Sequence, residues 1–187
     1  HRDVVGVTDF SAASRDPRFY LVDMRSGQVS SYLVAHGRGS DPSHTGWVQQ
    51  FSNDPGSFAS SPGAYLTGDY YTGNHGRSLR LVGLDRTNNN AEARAVVVHG
   101  AWYVSEQMAR DTGKIGRSEG CFAFAQSDLP QVLERGVRFE FDVEQAVAGI
   151  PPHISLAWYR GRDDDESLLI PVRAGERWQF TVRLKRP

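Results

Sequence analysis

The run Arg94-Ala95-Val96-Val97-Val98 is β-branched and nearly all apolar, and it ends in His99-Gly100. Such a run offers no polar side to water, so it predicts a strand over 94–98 buried on both faces of a sheet. A chain holding that strand must build cover above and below it. The strand would also fix the backbone of the histidine at its end.

The rest of the chain reads mostly as further strands between glycine-rich turns. Phe19 to Met24 and Val29 to Ala35 flank Arg25-Ser26-Gly27 and suggest a hairpin. Gly63 to Thr67 reads as a short strand, and Ser78 to Leu84 alternates as a half-buried strand does. Val137 to Val143 alternates in the same way, and Leu168 to Val172 with Trp178 to Leu184 suggests a terminal hairpin. Ser105 to Arg110 predicts a short helix stopped by Gly113. A second short helix follows Ser127 as N-cap and stops at Gly136. The fold class is therefore mainly β, a sandwich or mixed sheet with a few short peripheral helices. Residues 36–63 are rich in Gly, Ser, Asp, Asn and Pro, a long segment of the kind that carries function and can overhang a cleft.

The chain has 187 residues, which suits one core. The expected division is a main domain over 1–150 and an extension over 151–187 packed on the same domain. A net charge of −1 gives no general attraction to nucleic acid or to anionic membranes. No apolar run approaches the ~20 residues that span a bilayer, so no integral membrane segment is expected. No signal peptide is legible at His1-Arg2-Asp3. The single cysteine excludes an internal disulfide and a thiolate-rich metal site.

That cysteine, Cys121, lies in Gly116-Arg117-Ser118-Glu119-Gly120-Cys121. A free thiol, with a pKa of about 8.5, is mostly protonated at neutral pH and needs a base or a positive environment to act as a nucleophile. His99 is the candidate base. Gly120 permits a close backbone approach or a positive φ, and backbone N–H groups beside the thiol can receive an oxyanion. Ser118 can hold the loop or bond the histidine, and Arg117 adds positive charge. The competing reading is that Cys121 is a small buried apolar residue and His99 a hydrogen-bonded core group.

His99-Gly100 followed by Ser118-x-Gly120-Cys121 resembles the signature of the L,D-transpeptidases, the YkuD-like family. Ala35-His36-Gly37-Arg38-Gly39-Ser40, Phe51-Ser52-Asn53, Ser60-Ser61-Pro62-Gly63, Tyr65-Leu66-Thr67-Gly68, Gly73-Asn74-His75-Gly76 and Val98 to Ser105 resemble its variant murein L,D-transpeptidase catalytic branch. The resemblance spans roughly residues 18 to 143. The commoner branch places an arginine shortly after the cysteine, where this chain has Phe122-Ala123-Phe124; the variant branch also lacks that arginine.

The resemblance implies an L,D-transpeptidase-like fold and an exported enzyme of the periplasm or cell envelope acting on peptidoglycan stem peptides. Cys121 would form a thioester, His99 would move the proton, and carbapenem-type inhibitors would acylate the thiol. No cofactor is implied. Candidate substrate-binding residues are His36, Tyr65, His75, Arg80, Gly100 and Arg117. His36, His75 and His99 could together bind zinc, but no short-spaced ligand pair supports a metal site. The alternatives are an L,D-carboxypeptidase or amidohydrolase on the same stem peptides, and a non-catalytic cell-wall binding module.

Overall fold

The computed structural model describes residues 4–23, 25–135, 154–158, 166–173 and 176–182. The strands are β1 (Val4–Asp9), β2 (Phe19–Asp23), β3 (Val29–Tyr32), β4 (Val34–Ala35), β5 (Gly63–Gly73), β6 (Gly76–Gly83), β7 (Val97–Ala101), β8 (Phe122–Ala125), β9 (Ile154–Trp158), β10 (Glu166–Arg173) and β11 (Glu176–Val182). Two short helices, α1 (Glu106–Thr112) and α2 (Leu129–Arg135), flank β8 in sequence. Among the described residues nine strands form one mixed sheet in the order β3-β2-β1-β9-β5-β6-β7-β8-β4, and β10 and β11 pair separately. The architecture is mainly β, as the strand-and-turn pattern requires.

The two end strands of the sheet, β3 and β4, are separated in sequence only by Leu33. The sheet therefore curls until its edges come together. The predicted continuous strand over 29–35 is thus two strands, pairing with β2 and with β8 at opposite ends. Arg18 sits at this seam with 0% exposure. Its backbone N–H donates to Tyr32, and its Nε and Nη2 donate to the Val34 carbonyl at 3.1 and 2.9 Å. The side chain thus satisfies the Val34 carbonyl at the closing edge with two donors.

β7 and β8 are buried on both faces. Phe122 and Phe124 of β8 enter the larger core with Val98, Leu79, Leu81 and Tyr65. Ala123 and Ala125 face the other way and pack with Ala101, Val104 and Ile115. Each fully buried large side chain contributes roughly 1.5–3 kcal/mol, so these two layers outweigh surface pairs such as Arg110–Glu106. The alanines leave room for the segment 102–117 to cross that face.

β7 begins at Val97 rather than Arg94. Residues 91–96 wind through a turn in which Arg94 N–H donates to Asn90, Ala95 N–H to Glu92 and Val96 N–H to Ala91, and Ala95 has φ 53°. Residue 95 in the left-handed region cannot extend a strand. His99 consequently lies in the middle of β7, not at its end. β5 is also longer than predicted, running to Gly73 and turning at Asn74-His75 into β6.

α1 has Ser105 as N-cap, accepting from Met108 N–H at 3.1 Å, and closes at Gly113 with φ 71°. α2 starts at Leu129, and Ser127 Oγ donates to the Asp128 carboxylate. The β10–β11 hairpin sets Ile170 opposite Trp178, close to the predicted pairing. The predicted strand over 137–143 and the stop at Gly136 lie outside the described residues.

Candidate functional site

Cys121 immediately precedes β8, which runs parallel to β7 with Val98 opposite Phe122 and His99 opposite Ala123. Continuing that register by one residue sets Cys121 beside Val97 and diagonal to His99. The thiol donates to the Ala95 carbonyl at 3.6 Å. Burial raises the thiol pKa, while the Val97 N–H and the Arg94 charge oppose the rise and Glu119 adds to it. The resting sulfur is therefore a protonated thiol.

The turn that presents the thiol is fixed by Ser118. Its Oγ donates to the Cys121 carbonyl at 2.7 Å and accepts from the Gly120 N–H at 3.2 Å. The Gly120 amide is thus engaged within the turn, which leaves the Cys121 amide as the nearer candidate for an oxyanion. Gly120 has φ +112°, and a Cβ there would lie 2.7 Å from the Ala59 carbonyl oxygen. Only glycine fits this position without strain.

His99 is 2% exposed, and its Nδ1 lies 3.0 Å from the Gly100 carbonyl. A carbonyl can only accept, so Nδ1 carries the proton and Nε2 keeps a free lone pair. Burial lowers the His99 pKa; the Gly100 bond raises it and His75 lowers it further. The imidazole is neutral at pH 7, the form a general base requires. His75, from the β5–β6 turn, stacks on His99 with ring centroids 4.2 Å apart and planes at 22°. Of the histidines named with His99, it is the one the fold brings to it.

His36 has a different place. It is fully buried, with Nδ1 accepting from Arg18 Nη2 at 2.6 Å and Nε2 donating to Asp41 Oδ2 at 3.3 Å. The Asp41 carboxylate also accepts from Thr45 and Gly46 N–H groups, ordering the loop after it. The His36 backbone carbonyl accepts from Ser118 N–H, and Gly37 bridges Ser118. The network thus ties the Ser118 turn to the buried His36.

Burial first, and then the Arg18 charge, lower the His36 pKa to about 3 against two opposing effects of Asp41. Unfolded histidine takes up a proton below about 6.5, whereas the folded site refuses one until about pH 3. Stability is therefore expected to fall as pH drops through this window, with a limiting slope of about 1.4 kcal/mol per unit. Urea denaturation between pH 7 and 4 measures this slope. His36→Gln should flatten it, and an unchanged slope in that variant would contradict the assignment.

The remaining sequence candidates separate clearly. Arg117 donates to the carbonyls of Asp41 and Pro42 and so anchors a loop. The cation whose field acts on the thiol is instead Arg94, which the sequence marks only as the start of an apolar run. Arg80 is exposed over the Tyr71 ring. Tyr65 is 2% exposed, donates to the Ser61 carbonyl at 2.8 Å and meets Phe122 edge-on, so it is a core residue. Gly100 is buried in β7 and contributes its carbonyl to His99. Tyr103 lies toward the thiol: burial and then the Cys121 and Glu119 charges push its phenol up to about 12. Trp102, 77% exposed, meets Tyr103 edge-on.

A cavity of 860 Å³ near Tyr32, Trp102 and Asp128 lies by Ala101 and Ala125, at the far end of β7 and β8 from Cys121. It holds neither the thiol nor His99. Among the described residues no three His, Cys, Asp or Glu side chains gather as a metal site, and no helix is long and apolar enough to cross a membrane.

The family model of the L,D-transpeptidase catalytic domain matches residues 1–136. The chain belongs to the L,D-transpeptidase family. No curated protein and no solved structure matches the chain. For an L,D-transpeptidase the matched span takes in β1 to β8, both helices, Cys121 and His99.

Proposed function

We propose that the chain is a peptidoglycan L,D-transpeptidase that joins stem peptides through a thioester on Cys121. The observation that carries this reading is the chain's one thiol, on the Gly120 turn diagonal to a neutral His99 whose Nδ1 is committed to Gly100. His99 Nε2 takes the thiol proton as sulfur bonds to the carbonyl of the L-configured residue at stem position three. The tetrahedral oxyanion faces backbone N–H donors, with the Cys121 amide the nearest candidate. The imidazolium returns the proton to the departing D-Ala nitrogen, and the C–N bond breaks. The amine of a second stem then attacks the thioester, His99 takes its proton, and the C–S bond breaks to restore the thiol.

Water in place of the amine gives the carboxypeptidase outcome from the same intermediate. Carbapenems, as acyl donors, would acylate the same sulfur, and the substrate places the enzyme in the periplasm or cell envelope. Residues 151–187 would form an extension packed on the catalytic domain, a view supported by β9 lying between β1 and β5.

His99→Gln tests the base. Because the resting thiol is protonated, acylation by a tetrapeptide stem is expected to slow about 10²–10⁴-fold, with an unchanged thermal midpoint. Single-turnover mass spectrometry reads the rate, and a near-normal rate would place the base elsewhere.

A further inference from the structure

We propose that Arg94 is the positioning residue of the Cys121 site, clamping the 52–61 segment against the Gly120–Cys121 turn and setting a positive charge beside the sulfur. The proposal rests on the thioester reading above and supplies the cation which that reading lacks. Arg117 is bonded to a remote loop and Arg80 stacks on Tyr71.

The geometry begins with the turn before β7. Its reversal at Ala95 sends the Arg94 side chain toward residues 52–61. Arg94 Nη1 donates to the Ser52 carbonyl at 3.0 Å and the Ser61 hydroxyl at 2.6 Å, and Nη2 donates to the Ala59 carbonyl. The same guanidinium packs on the residue that precedes the thiol. A Cβ on Gly120 would stand 3.0 Å from Arg94 Nη2 and 2.7 Å from the Ala59 carbonyl oxygen. One planar fork therefore ties three points of the 52–61 segment together at the back of the catalytic turn. Lysine, a single point donor, cannot reproduce that fork.

All three acceptors are neutral, and among the described residues no carboxylate forms an ion pair with Arg94. The carboxylate whose field reaches Arg94 is Asp54. The group is half-buried, and its field is screened less than that of a surface arginine. Other groups face the sulfur as well. Glu119, on the turn itself, opposes thiolate, but its carboxylate is paired with Arg38 at 3.1 Å. Tyr103, from the segment after β7, stays a neutral phenol with its pKa raised to about 12. His99, on β7, is neutral. Val97 N–H and the Ala95 carbonyl complete the contacts. Arg94 is thus the cation that favours the thiolate as it forms.

Alkylation by iodoacetamide reads this directly, because Cys121 is the chain's single thiol. The rate is followed from pH 6 to 10 in the wild type, Arg94→Met, Arg94→Lys and Ser61→Ala. Arg94→Met is expected to raise the apparent thiol pKa by about one unit and to slow alkylation at neutral pH about tenfold. Arg94→Lys should recover most of the alkylation rate while stem-peptide acylation stays slow, since charge returns without the fork. Ser61→Ala, which loosens the clamp and keeps the charge, should leave the alkylation profile in place and slow acylation. An Arg94→Met profile that overlays the wild type would overturn the proposal. If Arg94→Met does not fold, Arg94→Gln, which keeps amide donors for Ser61 and Ala59, carries the same comparison. No peptidoglycan enters the alkylation assay. A wild type that alkylates normally but never turns over a stem peptide would therefore refute the thioester reading and leave the Arg94 assignment standing.

Discussion

Cys121→Ala is expected to abolish stem-peptide turnover and covalent carbapenem addition while the protein stays folded. No second thiol can stand in, so the covalent route disappears entirely, a loss on the order of 10⁴-fold or more. The substitution removes one atom whose hydrogen bonds are weak sulfur contacts, to the Ala95 carbonyl at 3.6 Å and from the Val97 N–H. The bonds that shape the turn run from Ser118 Oγ to the backbone at 120 and 121, and alanine keeps both. The thermal midpoint should therefore stay within a few degrees of the wild type. Turnover that persists in a folded Cys121→Ala protein would contradict the cysteine mechanism. Lost turnover with a lost fold would instead show that the thiol is structural.

Arg18→Ala is expected to be the most destabilising single change. The side chain is completely buried and donates to the Ala12 and Val34 carbonyls and to His36, closing the seam between the two sheet edges. Its pKa is lowered to about 9, first by burial, with Asp9, Asp16 and Asp41 acting in the opposite direction. Removing it leaves the Ala12 and Val34 carbonyls and His36 Nδ1 without their buried donor. Each buried polar group left unpaired costs about 1–3 kcal/mol. Urea denaturation at pH 7 measures the loss. Arg18→Lys should recover only part of it, since one ammonium cannot reach the carbonyls and the imidazole together. A loss under about 1 kcal/mol for Arg18→Ala would contradict this account of the seam.

The strands of the sheet centre were legible because their burial is written locally. Ser78 to Leu84 alternates, and Val97-Val98 is apolar on both sides. The start of β7 was not legible, because the turn at Ala95 depends on bonds back to Asn90, Ala91 and Glu92 rather than on a glycine or proline. The place of β9 depends on β1 and β5, far away in sequence, so no local pattern announces it. The three His-Gly pairs carry the same dipeptide and separate only in three dimensions. His99 faces the thiol's side of the sheet, His75 covers it, and His36 is locked between Arg18 and Asp41. Arg94 escaped for a related reason. Before an apolar run an arginine reads as a strand's wet end, and only the reversed turn directs it to Ser52, Ala59 and Ser61.

The central claim is that Cys121 accepts an acyl group and passes it to an amine. Mass spectrometry of the wild-type protein incubated with a disaccharide-tetrapeptide tests it most directly. The account predicts a transient protein adduct on Cys121 equal in mass to the substrate less D-Ala, followed by a cross-linked dimer of the disaccharide-peptide. A shortened monomer without dimer would mean that water releases the acyl group, and the transpeptidase assignment would fail. Turnover without any adduct on Cys121 would contradict the thioester itself.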